Sequence, residues 1–381
     1  MRKCYKVFAG ILSLYIVLIL AITCLPVSGA PNPDAADKPG GRHSLKLFGG
    51  GQAQAQAASA QAAERKTVIP GGSPFGIKMH TRGVIIVGMS DIQSGTENLN
   101  PAKDAGLKIG DIITHIDDIE INRNNEAARF ISGAEGGEIK ITAMRGEAEI
   151  DFYLTPVKSE YDDSYKAGMW VRDSSAGIGT LTYYDPETLG FAGLGHAVCD
   201  IDTGEIMPLF SGEIVDVNIS GVNVGQSGRP GELKGTFAGD APLGRLYRNS
   251  ESGIFGILDY PVLDASPVSM ALKHEIKPGP AQIFSTVSGQ KPRAFDIVVE
   301  KINYSDTNPT KNMVIRVTDR ELLAISGGIV QGMSGSPIIQ DGMLAGAITH
   351  VFVNDPTRGY GIFAENMDKI LNTVEDGQLV A

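Results

Sequence analysis

The chain has 381 residues, of which 42% are hydrophobic and 20% charged, with a formal net charge of −11. This is an ordinary globular composition with room for two modest domains and a tail. The acidic balance, with no basic patch interleaved with aromatics, argues against nucleic acid as a partner. High glycine content and few long 3.6-residue periodicities predict a mainly β body with many tight turns.

Taken in chain order, Arg2, Lys3 and Lys6 precede an uncharged run from Val7 to Leu25 that Pro26 ends. That run is long enough to cross a bilayer, and its basic flank places the N-terminus in the cytoplasm. Residues 1–30 therefore predict a cytoplasmic N-terminus and a transmembrane anchor. A cleaved signal ending in the small residues Val27-Ser28-Gly29-Ala30 is the alternative. Residues 31–67 are polar or low-complexity, with Gln52-Ala53-Gln54-Ala55-Gln56 at their centre, and read as a flexible spacer exposed to self-cleavage.

From residue 68 to 157 the pattern changes. A strand-like Gly83-Val84-Ile85-Ile86-Val87-Gly88 leads to Ala105-Gly106-Leu107-Lys108-Ile109-Gly110-Asp111-Ile112-Ile113. A short helical segment over 125–132 and alternating strands over 138–145 and 149–154 follow. This stretch resembles a PDZ domain, an α+β fold. The resemblance implies that Phe75-Gly76-Ile77 form the loop whose backbone N–H groups receive a peptide C-terminal carboxylate. The ligand would add a strand beside it, with His80 and Thr81 as possible contacts. A PDZ fold kept only for packing is the alternative. Leu107, Ile109, Ile112 and Ile113 are expected to fill its core.

Residues 159–374 carry short alternating runs separated by glycine and Asx turns, the pattern of a β barrel or sandwich. Within them, Gly332-Met333-Ser334-Gly335-Ser336-Pro337 is close to the Gly-x-Ser-Gly-x-Pro run of chymotrypsin-like serine proteases. Ser334 is the candidate nucleophile, with Ser336 a near rival and Ser227 a decoy. The N–H groups of Gly332 and Ser334 are candidate oxyanion donors. A nucleophilic serine needs a base, and among six histidines His196, directly after Gly195, stands out. His350, on the apolar run 345–353, reads as a strand residue. Asp319 falls between His196 and Ser334 and is the candidate third member. It is also a good helix N-cap for the residues after it. Asp355 is the other candidate acid. Cys199 reads as a small buried hydrophobe; no metal site or cofactor is expected. Residues 375–381 form a tail.

Together, the anchor, spacer, PDZ segment, Gly195-His196 and the Ser334 block resemble the SpoIVB peptidase family. The run from Ile348 to Thr357 and Gly359-Tyr360-Gly361 share its texture. The resemblance implies a chymotrypsin-like serine endopeptidase of endospore-forming bacteria, with a triad carried onto His196, Asp319 and Ser334. It implies an enzyme exported to the space between the two membranes of the developing spore and self-processing there. Its implied partner is a membrane-bound inhibitor of an intramembrane metalloprotease, whose cleavage releases a late sporulation sigma factor. A non-catalytic tethered PDZ adaptor and a broad quality-control serine protease are the alternatives.

Overall fold

Strand pairing in the computed structural model, which describes residues 65–305 and 307–375, resolves into two β barrels and an inserted PDZ unit. The strands that build them are β1 (Pro74–Met89), β2 (Ile112–Ile116), β3 (Ile139–Arg145), β4 (Ala148–Leu154) and β5 (Met169–Tyr184). Then come β6 (Gly190–Gly193), β7 (Leu209–Asn223), β8 (Glu232–Ser250), β9 (Gly253–Leu258) and β10 (Gly279–Ser285). The last are β11 (Arg293–Ile302), β12 (Met313–Val317), β13 (Pro337–Gln340), β14 (Met343–Phe352) and β15 (Asp355–Phe363). The described residues also form four helices: α1 (Pro101–Asp104), α2 (Asn124–Gly133), α3 (Arg320–Ser326) and, after the last strand, α4 (Ala364–Glu375). The expected anchor, the spacer up to residue 64 and the tail beyond 375 lie outside the described residues. No helix among the described residues is long and apolar enough to cross a membrane.

The first barrel is a ring of antiparallel neighbours, β1–β5–β6–β9–β8–β7 and back to β1. The second is a closed barrel in the order β10–β11–β12–β15–β14–β13. In β11, buried Phe295, Ile297 and Val299 alternate with more exposed neighbours, so one face enters the core. Each such buried side chain contributes roughly 1.5–3 kcal/mol.

The PDZ unit does not precede the barrels but interrupts the first one. β1 is one continuous 16-residue strand. Its first half pairs with β7 and its second half, through Val84↔Ile113 and Ile85↔Ile112, with β2 of the PDZ sheet. β5 runs antiparallel to both halves, from Met169↔Met89 to Thr180↔Pro74. The two units therefore share β1 and β5, and a division at residue 158 leaves the first barrel and the PDZ sheet incomplete. The PDZ core forms around Val84, Ile86, Leu107, Ile113, Ile141 and Phe152. Ile109, expected inside, is 55% exposed.

Phe75-Gly76-Ile77 are not a ligand-binding loop. They lie within β1, paired with Gly177–Gly179 of β5 on one side and Ile214–Asp216 of β7 on the other. The alternation of Phe75, Ile77 and Met79, all buried in the first-barrel core, makes this segment a strand. Glycine at 76 admits the Phe237 ring, which a Cβ there would meet at 2.6 Å. His80 and Thr81 sit at the junction of the two units. The His80 ring contacts the Arg123 guanidinium, and Thr81 Oγ1 donates to the Gly83 carbonyl.

Candidate active site

The serine loop is built by glycine and fastened to both barrels. α3 ends at Gly327 in a left-handed conformation, and its N–H returns to the Leu323 carbonyl. From there Ile329 N donates to the Pro356 carbonyl in the second barrel, and Gln331 N to the Gly231 carbonyl at the edge of the first. Thr180 N donates to the Ser334 carbonyl at 3.1 Å, Thr180 Oγ1 to Gly332 O at 2.8 Å, and Thr182 Oγ1 to Gly335 O at 2.8 Å. Thr180 and Thr182 hold the loop, and the sequence reading missed them. Their only signal was alternation in a strand, which carries no hint of what the hydroxyls bind.

The Gln331 and Met333 carbonyls accept from Leu233 N and Ser336 N. A trans peptide sets N–H opposite C=O, so the Gly332 and Ser334 N–H groups face away from those bonds. Among the described residues neither donates to a backbone carbonyl. Gly332 and Gly335 both have φ +93°, a region that side-chain-bearing residues rarely enter. Ser336 is buried and its Oγ donates to Ser285 Oγ, while Ser227 is exposed and donates to the Asn354 carbonyl.

His196 reaches the same place from the first barrel. It follows β6 after Leu194 and Gly195, both at positive φ. A Cβ at Gly195 would lie 3.0 Å from both the Ile362 and Thr349 side chains, so glycine lets this turn sit against the second barrel. Ser334, His196, Gly332, Cys199, Thr349 and His350 all line one cavity of about 470 Å³. His196 is half-buried and its Nδ1 lies 2.8 Å from the Ala197 carbonyl, which makes it the donor and leaves Nε2 as the basic nitrogen. Burial pulls its pKa below the usual histidine value, and the Ala197 bond opposes that shift.

The third member expected from the family is elsewhere. Asp319 caps α3, with Oδ1 accepting from Leu322 N at 2.9 Å and Oδ2 from Asp296 N at 3.4 Å. It does not line the cavity, and the atom it was expected to hold is bonded to Ala197 instead. Asp355 is no substitute: its Oδ1 takes the Thr357 N–H and hydroxyl in a local turn. The group that does stand beside His196 is His350, with ring centroids 5.1 Å apart. Desolvation, aided by the charges of His196 and Lys311, lowers the His350 pKa to about 4. Cys199, expected buried, is exposed, and desolvation together with Glu205 pushes its thiol pKa up, away from thiolate chemistry.

A glycine-framed serine and a neutral imidazole on one cavity between two six-stranded barrels define a serine peptidase, here with a PDZ unit set into its first barrel. The chain belongs to the SpoIVB peptidase S55 family, whose model matches residues 163–368, and a PDZ domain model matches residues 75–155. It is a serine endopeptidase that contains a PDZ domain. No curated protein matches the chain. Among solved structures, the active form of the Rv3671c protease from M. tuberculosis is 16% identical, with 52% of this chain and 74% of that one covered at a TM-score of 0.33. The inactive form of the same protease is 14% identical, with 52% and 84% covered at 0.30. An HtrA-type protease, AlgW, with a decapeptide is 10% identical, with 54% and 55% covered at 0.33. At these scores the fold rests on the strand pairing above.

Proposed function

We propose that Ser334 Oγ attacks the carbonyl of a peptide bond while Nε2 of His196 takes its proton, with the Ala197 carbonyl fixing the tautomer. The Gly332 and Ser334 N–H groups receive the oxyanion, and an acyl-enzyme forms and is hydrolysed by water. The amine leaves with the proton that His196 carried, and water restores the serine hydroxyl. The observation that carries this reading is that Ser334 and His196, 138 positions apart in sequence, line one cavity.

The resemblance to the SpoIVB family supports a narrower role. In it, the enzyme is anchored by residues 1–30, exported to the space between the membranes of a developing spore, and cleaves itself. It then cuts a membrane-bound regulator of an intramembrane metalloprotease, which activates a late sporulation sigma factor. Protein substrates and peptide segments recognised by the PDZ unit are its partners. The test is to express the full chain with and without Ser334→Ala, follow self-cleavage, and label with a fluorophosphonate. Processing and labelling only in the parent chain are expected. Equal processing in both removes Ser334 from the mechanism, and unaltered sigma-factor activation in a strain carrying Ser334→Ala removes the signalling role.

A further inference from the structure

A second cavity, of about 1080 Å³, lies between α2 and the first residues of β5. Ile92, Ala127, Ile131, Met169 and Val171 give it an apolar lining. Among the described residues, β5 over 169–179 is paired on one side only, with β1; β6 joins its other edge from Leu181 onward. That unpaired edge lines the α2 groove at Met169, Trp170 and Val171, and lines the catalytic cavity at Ser175, Gly177 and Ile178. Ala176 and Gly177 are exposed, and a Cβ at Gly177 would meet nothing within 4 Å. One strand edge thus connects the groove to the nucleophile.

We propose that an extended substrate adds as a strand to this edge, with its C-terminal carboxylate in the α2 groove and its scissile bond at Ser334, so that cleavage falls at a set distance from the substrate's C-terminus. This rests on the catalytic reading given under Proposed function. Antiparallel addition puts the upstream part of the substrate at Ile178 and its last residue at Met169, beside the Ala167-Gly168 turn. Gly168 has φ +83°, and a Cβ there would lie 2.7 Å from Asn100 Oδ1, so the turn closes tightly at the groove's end. Arg129 in the lining supplies positive charge for a carboxylate, Lys166 being paired with Asp162 at 2.6 Å, and Asp91 and Glu160 disfavour an acidic side chain next to it. The apolar lining suits an apolar last residue.

The path between the two cavities has walls on both sides. Asp173 Oδ2 accepts from Asn124 N at the head of α2, and Arg172 reaches the loop after His196 through Asp200 and, at 2.7 Å, Asp202. From Gly177 to Met169 is eight residue steps (177 − 169), or about 26 Å of strand at roughly 3.3 Å each. Register irregularities in β5 at Trp170/Val171 and Arg172/Ser174 widen the expected span to about eight to ten residues.

The test uses the purified full chain and synthetic peptides that share one cleavable sequence followed by spacers of about five, nine and thirteen residues, each ending in a free carboxylate or an amide. Mass spectrometry of the products reads the cut. Cleavage is expected to be fastest with about nine residues, to move with the C-terminus as the spacer lengthens, and to slow about tenfold on amidation. Ala128→Trp, which fills the groove from an exposed position on α2, is expected to bring the carboxylate-to-amide rate ratio close to one. A cut fixed in sequence whatever the spacer, with the amide cleaved as fast as the acid, overturns the inference and leaves this edge to another copy of the chain. Ser334-dependent cleavage without C-terminal dependence defeats this inference alone, whereas cleavage that survives Ser334→Ala defeats the catalytic reading beneath it.

Discussion

The imidazole rings of His196 and His350 lie 5.1 Å apart, tilted by 39°, on the cavity that also holds Ser334. No carboxylate takes the Nδ1 position of His196; a backbone carbonyl does. An uncharged acceptor holds the tautomer and raises the basicity of the ring by less than burial lowers it. The base therefore works with a pKa set by burial, and His350 is part of what buries it.

The pH profile follows. His196 must be neutral to accept a proton, and its pKa lies below the ordinary histidine value of about 6.5. Activity is present above the His196 pKa and lost as pH falls through it, so the acid limb of kcat/KM has its midpoint below about pH 6.5. His350→Ala admits water beside the ring and moves this limb to higher pH; His350→Phe keeps the ring covered and leaves it near the parent position. A limb that does not move in His350→Ala removes His350 from the environment of the base.

His350 also links pH to stability. Its folded pKa of about 4 lies below the unfolded value of about 6.5, so between these the unfolded chain binds more protons. Stability is full above the unfolded value and is lost as pH falls from about 6.5 toward 4. Because the ring is exposed on one side, the effect is small. Thermal midpoints measured at pH 7 and pH 5 are expected to differ less in His350→Phe than in the parent chain, and an equal difference contradicts this.

Asp319 acts through the helix it caps. α3 leads directly into Gly327 and the serine loop, so losing the cap loosens the segment that carries Ser334. Asp319→Ala is expected to lower stability by about 1 kcal/mol and to reduce activity in step. Asp319→Asn, which also caps well, is expected to restore both. A well-folded Asn variant with the activity of His196→Ala returns Asp319 to the chemistry.

The residues legible in the sequence were those whose chemistry shows in immediate context. Ser334 between glycines and His196 after Gly195 share one cavity, and the PDZ pattern of 83–154 forms its own core. What failed was what depends on distant pairing. The Phe75-Gly76-Ile77 segment looks like a ligand loop because nothing local reveals that β5 and β7 cover both its edges. The insertion is hidden for the same reason: β1 crosses from one unit to the other at Gly83 without a break. Asp319 had two sound local readings, and only the fold shows that the cap is the one realised.

Thr180 offers a test of how the serine loop is held. Its hydroxyl donates to Gly332 O, which helps orient the Gly332 peptide beside the nucleophile. Thr180→Val keeps the shape and removes the bond. With a net loss on the order of 1 kcal/mol at a position that sets oxyanion geometry, kcat is expected to fall roughly tenfold, with KM little changed. An unchanged kcat shows that the backbone bond from Thr180 N suffices.

The two glycines around Ser334 differ in what surrounds them, and their substitutions should differ in kind. Both have φ +93°, so alanine is strained at either by about 1–3 kcal/mol. At Gly332 the added methyl meets the Leu233 side chain at 3.1 Å, which can give way. At Gly335 it meets the Thr180 carbonyl at 2.1 Å and Leu194 N at 2.6 Å, backbone atoms of the first barrel that cannot move without displacing the turn that presents His196. Gly332→Ala is therefore expected to fold and lose mainly kcat, through a displaced oxyanion donor. Gly335→Ala is expected to separate the serine loop from the first barrel and to show a lowered thermal midpoint and faster proteolysis at the barrel junction. A Gly335→Ala protein as stable as the parent would show that the serine loop does not pack against the Leu194 backbone as described.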